Sequence, residues 1–198
     1  MSRFCVASTL LAAFSFAAHA QVAEFSVSGG VSRLQNKELV PSTAQAAGLS
    51  LDDGWRLAFR IGLNSWSFFG QEFGYAYNRS KLLSDGEDLG GMAIHQGFYN
   101  LLAYATPEGT RIRPFVTGGG HFSNFVPPGA SATQGQGSTK FGVNYGGGVK
   151  ARISEKYQVR VDFRQYVTGK PFGGNNGLQG ISGSLRQNEI SVGFGFVL

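Results

Sequence analysis

A chain of 198 residues with 30 glycines, 13% aromatic residues and only 15% charged residues is poorly suited to helices, because each helical Gly costs about 1 kcal/mol relative to Ala. The net charge of +5 is a modest excess, compatible with anionic lipid headgroups but no argument for nucleic acid. Beyond residue 20 no stretch offers eighteen continuous apolar residues, which excludes a helical membrane span.

The N-terminus carries an address. Met1-Ser2-Arg3 is a short positive start, Val6 to Ala18 is a mostly apolar run, and Ala18-His19-Ala20 has the small-x-small form of a cleavage site. This reads as a secretory signal peptide over residues 1–20, leaving a single domain over residues 21–198. Removing 20 residues from 198 leaves 178, and loss of Arg3 takes the net charge from +5 to +4. Cys5, the one cysteine, leaves with the signal. The exported chain then has no disulfide and must be held by its architecture.

Eight segments alternate with a two-residue period, the signature of strands with one apolar face. They run over Val22–Arg33, Gly54–Asn64, Phe68–Arg79, Met92–Thr106, Arg111–Asn124, Thr139–Ile153, Tyr157–Thr168 and Leu185–Leu198. Each is near or above the ~9–11 residues that a tilted strand needs to cross a bilayer. The second, fourth and sixth end in short turns, Ser65-Trp66-Ser67, Pro107-Glu108-Gly109-Thr110 and Ser154-Glu155-Lys156, and the other connections are long and polar. This alternation predicts an all-β fold, an eight-stranded antiparallel up-and-down transmembrane barrel. The even strand count puts both termini on one side, expected to be periplasmic.

The two faces differ in chemistry. In the second segment Trp55, Leu57, Phe59, Ile61 and Leu63 oppose Arg56, Ala58, Arg60, Gly62 and Asn64. In the third, Phe69, Phe73, Tyr75 and Tyr77 oppose Gly70, Glu72, Gly74 and Ala76, with Gln71 a blemish on the apolar face. In the sixth, Phe141, Val143, Tyr145, Val149 and Ile153 oppose Asn144, Lys150, Arg152 and several glycines; in the seventh, Tyr157, Val159, Val161 and Phe163 oppose Arg160, Asp162 and Arg164. Charges on one face and large apolar residues on the other suit a polar lumen surrounded by lipid. In the fourth segment Phe98-Tyr99-Asn100-Leu101-Leu102 breaks the alternation and leaves the facing open. Trp55 and Tyr77 are expected at one membrane interface, Trp66 and Tyr157 at the other.

With these segments in hand, the chain resembles the small eight-stranded outer-membrane β-barrel proteins, the group of the outer membrane protein A transmembrane domain. The most specific stretches are Arg113-Pro114-Phe115-Val116-Thr117-Gly118-Gly119-Gly120, Asn144-Tyr145-Gly146-Gly147-Gly148-Val149-Lys150 and Arg160-Val161-Asp162-Phe163-Arg164-Gln165-Tyr166. The resemblance implies a bacterial outer-membrane location, contact with outer-membrane lipid and lipopolysaccharide, and recognition of the C-terminal strand by the barrel-assembly machinery. It departs from the family at Leu198, where an aromatic residue is usual; Phe196 lies two positions earlier.

Two constellations bear chemistry. If the turn is Ser65-Trp66-Ser67, then Arg60 lies opposite Glu72, Gly62 opposite Gly70 and Phe59 opposite Phe73, at Cβ separations of about 4.5–5.5 Å. An Arg60–Glu72 ion pair is therefore expected inside the barrel, joined by Arg56, Arg160, Asp162, Arg164 and Glu189. A lumen of this size is just wide enough for side chains to fill, so the charges are expected to plug it. The alternative is a narrow channel or a small-ligand binder.

The second is His121-Phe122-Ser123-Asn124, which resembles the His-x-Ser-Asn motif of the outer-membrane lipid A 3-O-deacylases. That resemblance would make Ser123 the nucleophile, His121 the base and Asn124 an oxyanion donor. Strand parity turns His121 and Ser123 inward, and the next acid, Glu155, lies at the far turn, so a non-enzymatic role is favoured. No cofactor is expected, and no His or Cys stands at metal-ligand spacing. Lys37, Arg79, Lys81, Lys140 and Lys170 lie in or near the long loops, either as solvated charges or as contacts for lipopolysaccharide phosphates. The expected protein is a monomer with a structural or surface-interaction role.

Overall fold

A computed structural model describes residues 22–42, 47–130, 137–172 and 183–198. The proposed signal peptide lies outside the described residues. Among them the chain forms β1 (Val22–Gln35), β2 (Glu38–Val40), β3 (Leu49–Leu51), β4 (Gly54–Trp66), β5 (Phe69–Ser84), β6 (Glu87–Tyr104), β7 (Ile112–Val126), β8 (Ser138–Arg152), β9 (Tyr157–Gly169) and β10 (Ser184–Val197). The order β5-β4-β1-β10-β9-β8-β7-β6, closed by β5–β6 pairing, is an eight-stranded antiparallel barrel. β2 and β3 form a small hairpin added to the far end of β5. The eight long strands are the eight segments expected, displaced by a residue or two except where β5 meets β6.

Closure is made by the first and last strands. β10 pairs with β1 from Glu24↔Val197 to Gln35↔Arg186, and the Leu198 amide adds a 2.8 Å hydrogen bond to the Ala23 carbonyl. The apolar stripe of β10 thus joins a continuous outer wall. Ile190, Val192 and Phe194 stand exposed on it beside Val27, Val31, Val161 and Phe163.

Three expectations need correction. The long loop expected between the third and fourth segments is a continued hairpin, closed by Asp85-Gly86 alone. Asp85 has φ 47° and Gly86 has φ 89°, the two positive angles that a tight type I′ turn requires. Beyond Arg79 the strand has left the apolar band, so nothing enforces alternation and the pattern fades. The β4–β5 register is also shifted: Arg60 faces Gly74, Gly62 faces Glu72 and Phe59 faces Tyr75. The turn is not Ser65-Trp66-Ser67, because β4 runs to Trp66, which pairs with Phe69 after a register irregularity between Leu63 and Trp66. Two residues there oppose one, as in a bulge. Finally, the first long connection contains β2 and β3.

The fourth segment has a clear facing. Met92, Ile94, Gln96, Phe98, Asn100, Leu102 and Tyr104 point inward and are buried, whereas Tyr99 and Leu101 are exposed outside. Phe98 and Leu102 are apolar side chains on the polar face, which is why alternation breaks. Phe98 packs on Ala58 and Ala76, and its ring occupies the space that a Cβ at Gly74 would need. The lumen accepts this ring only because its neighbours are small.

Candidate functional site

The interior is layered along the barrel axis. At the centre, Glu72 on β5 meets Arg160 Nη1 and Arg164 Nη2 of β9, each at 2.7 Å, and lies 3.7 Å from Arg60 Nε of β4. Asp162 accepts two 2.8 Å hydrogen bonds from Arg160 and lies 3.1 Å from Arg164 Nη2. Glu189 of β10 bridges Arg56 Nε at 2.9 Å and Arg60 Nη2 at 3.0 Å, and accepts from Ser191 at 2.7 Å. The Arg56–Glu189 contact is close enough for an ion pair, but its N–H misses hydrogen-bond geometry. The structure brings together all seven residues named from sequence: Arg56, Arg60, Glu72, Arg160, Asp162, Arg164 and Glu189. Arg60 and Glu72 meet diagonally, not directly opposite.

Four arginines face three carboxylates in this layer, so one positive charge is left over. Neutral acceptors absorb it. Arg56 donates to Asn78 Oδ1 at 3.2 Å, to Tyr166 Oη at 2.8 Å and to Gln96, and Arg60 donates to Ser28. Asn78, Gln96 and Gln187 form a closed amide ring above, in which Gln96 Nε2 donates to Gln187 Oε1 at 3.0 Å, and Gln96 Nε2 also donates to Ser123 Oγ at 2.9 Å beside it. Low dielectric strengthens such networks and makes any unpaired member costly.

A second ionic cluster near the termini was missed from sequence. Lys150 pairs with Glu24 and donates to Tyr104 Oη at 2.8 Å, while Asn64 Nδ2 donates to Glu24 at 2.9 Å. Arg113 and Arg152 share Glu108, and the Arg113 guanidinium stacks 3.6 Å from the Tyr104 ring centroid. Lys150 and Arg152 were placed on the inner face, but Glu24 lies across the barrel on β1, where one carboxylate among serines gives no local sign of its partner.

At the other end the interior turns apolar. Leu34, Leu39, Leu51, Met92, Ile94, Phe125 and Leu185 form a buried cluster, with Leu49, Leu82 and Phe172 against it. The β2–β3 hairpin supplies Leu39, Leu49 and Leu51 and so folds over the lumen as a lid. Lys37 ties it down, 3.3 Å from Asp52 and 2.8 Å from Asp53, and the Leu34 amide donates to Asp53 at 2.9 Å. Burial pushes the Asp53 carboxyl up, but the Lys37 and Leu34 hydrogen bonds outweigh it and hold it below its ordinary value of 3.8.

The residues of the His-x-Ser-Asn motif do not converge. His121 and Ser123 face the lumen and are buried, while Asn124 lies on the outer face. His121 packs edge-on against Tyr166, with centroids 5.1 Å apart, and among the described residues its ring nitrogens have no hydrogen-bond partner. Glu155 sits exposed in the turn after β8. Among the described residues no three His, Cys, Asp or Glu side chains gather as a metal site.

A closed barrel with an apolar outer wall and a charged interior is the architecture of a transmembrane β-barrel. The chain belongs to the outer membrane protein beta-barrel domain family, whose profile it matches over residues 6–197, and that family places it in the bacterial outer membrane. Among solved structures it is similar to Neisserial surface protein A, at 12% identity and TM-score 0.58, covering 88% of this chain and 96% of that one. It is also similar to the N-terminal barrel domain of Pseudomonas aeruginosa OprF (13%, TM-score 0.53, covering 89% and 97%) and to P. aeruginosa OprG (12%, TM-score 0.54, covering 89% and 96%). These likenesses are of fold. No curated protein matches the chain in sequence.

Proposed function

We propose that this protein is a closed, non-enzymatic outer-membrane barrel with a structural or surface-interaction role, its termini periplasmic and its long-hairpin end outside. The observation that carries this reading is the central layer, in which Glu72, Asp162 and Glu189 bridge four arginines from β4 and β9 across the lumen. An eight-stranded interior has room for little beyond its own side chains, and the apolar cluster under the β2–β3 hairpin adds a second barrier. Seclusion of His121 and Ser123 in the lumen, with Asn124 on the other face, supports the non-enzymatic part. Contact with the barrel-assembly machinery through β10 is part of the same proposal, supported by the exposed apolar stripe of Ile190, Val192, Phe194 and Leu198.

Single-channel recording in planar bilayers tests the plug. Purified full-length barrel is expected to show no sustained conductance, and a stable open level overturns the reading. A lipid A deacylation assay tests the enzymatic alternative: acyl release abolished by Ser123→Ala would replace the structural role with a hydrolase.

A further inference from the structure

One buried titratable side chain takes no part in the ion-pair network. His121 on β7 is 5% exposed, and neither Nδ1 nor Nε2 finds a hydrogen-bond partner among the described residues. Its ring occupies the space that a Cβ at Gly142, its partner on β8, would need. Across the other edge its partner on β6 is the apolar Phe98, and it meets Tyr166 edge-on, at an interplanar angle of 84°. A neutral imidazole carries one donor and one acceptor, and burying either without a partner costs free energy. A phenylalanine would fill the same space without that cost, so packing alone gives no reason for a histidine here.

Tyr166 links this histidine to the charged layer. The Arg56 guanidinium carbon lies 4.5 Å from the centroid of the same ring, and Arg56 Nη2 donates to Tyr166 Oη. Through Nη1 the same guanidinium holds Asn78 and Gln96 of the amide ring. The ionisable groups around His121 are mostly cations. β4 brings Arg56, and β8 carries Lys140 two residues along from Gly142. β9 brings Tyr166 and, two residues along, Arg164, while β10 places Gln187 opposite Tyr166 and Glu189 opposite Arg164. The side chains that β5 and β6 turn to this level, Asn78, Gln96 and Phe98, are neutral. Glu189 is the one carboxylate in this set, and Arg56 and Arg60 already share it.

We infer that His121 is an acid sensor built into the plug, and that its protonation drives Arg56 off Tyr166 and the amide ring and lets water into that level of the lumen. A proton taken from water onto the free ring nitrogen makes an imidazolium beside Arg56. The layer already carries one surplus positive charge, and no carboxylate is left to pair with a second. A buried charge without a partner is strongly destabilising, so the proton is accommodated only as the contacts around Arg56 open. Histidine is the side chain whose charge changes between about pH 5 and 8, which sets the range of the response. The inference rests on the closed-lumen reading, because in a water-filled lumen His121 would titrate without disturbing its neighbours.

The test is urea unfolding of the full-length protein in phosphatidylcholine vesicles at about pH 8 and about pH 5, followed by tryptophan fluorescence and by heat-modifiable gel migration. With the unfolded histidine titrating near its ordinary value of about 6.5, the folding constant is expected to fall about 30-fold between the two. In His121→Phe, which keeps the packing, and in His121→Gln, the fall is expected to shrink below about 3-fold. His95→Gln, on the outer wall, is expected to keep it in full. A wild-type fall under about 3-fold, a full response in either His121 variant that folds, or its loss in His95→Gln overturns the inference. Failure of the closed-lumen reading shows instead as conductance at neutral pH, which the unfolding titration does not read, so the two failures are distinguishable.

Discussion

Replacing Glu72 with Gln probes the central layer most directly. The carboxylate is 1% exposed and touches Arg160 and Arg164 at 2.7 Å and Arg60 at 3.7 Å. Four arginines then face only Asp162 and Glu189, and the local charge rises from +1 to +2. Removing one partner of a buried ion pair costs about 3–5 kcal/mol, mostly through the charges left behind. With a urea m-value of about 2 kcal/mol/M, that moves the unfolding midpoint down by about 2 M. The assay is urea unfolding of the refolded barrel in lipid vesicles, followed by tryptophan fluorescence and by heat-modifiable gel migration. Adding Arg164→Gln to Glu72→Gln returns the charge to +1, so the double variant is expected to lose less than the two single losses combined, by about 0.5–3 kcal/mol. A midpoint shift under about 0.5 M for Glu72→Gln, or strict additivity in the double variant, refutes the idea that these charges work as one network.

Three further outcomes are expected. Phe98→Ala leaves a void between Ala58, Ala76 and Gly74 and should cost about 3–5 kcal/mol in the same unfolding assay. Val192→Arg puts a charge on the outer wall at a position exposed to 58% and should cost about 2–4 kcal/mol in bilayers if lipid surrounds that wall at mid-depth; in a water-exposed wall it would cost nearly nothing. The Asp53 carboxyl is held below 3.8 when folded, so its tie to the lid is fully present above that pH and is lost as pH falls below it toward the depressed value. Hydrogen-exchange protection factors over β2 and β3, corrected for the intrinsic pH dependence of amide exchange, should therefore fall at acid pH, and that fall should be absent in Asp53→Asn.

Legibility followed the solvent. Wherever a strand lies in the apolar band, lipid outside and packing inside impose opposite chemistries on alternate residues, and segments such as Phe141–Ile153 or Tyr157–Thr168 could be read almost to their ends. Beyond Arg79 that constraint lapses. Ser80 to Leu89 shows no period although it forms a paired hairpin, and the one available signal was the Asp85-Gly86 dipeptide with its demand for two left-handed residues. The β2–β3 lid was illegible for a related reason. Its strands are three residues each, too short for a period, and they are held by Lys37, Asp53 and packing against residues far along the chain.

The interior was legible by parity but not by partner. Alternation alone placed Arg56, Arg60, Glu72, Arg160, Asp162, Arg164 and Glu189 on one face, and seven charges in one narrow tube have few ways to avoid meeting. The specific Arg60–Glu72 geometry did not follow, because one extra residue in the β4–β5 turn shifts the whole pairing. The error was survivable only because arginine is long. Displaced two residues along the strand, Arg60 still lies 3.7 Å from Glu72 and takes Glu189 at 3.0 Å as its closer partner. Glu24 and Lys150 show the converse: alternation places Lys150 on the inner face, yet its contact with Glu24 spans 126 residues of sequence and depends on closure of the barrel by β1 and β10. A closed barrel therefore encodes its charges strand by strand, while the pairing between them is a property of the closed ring.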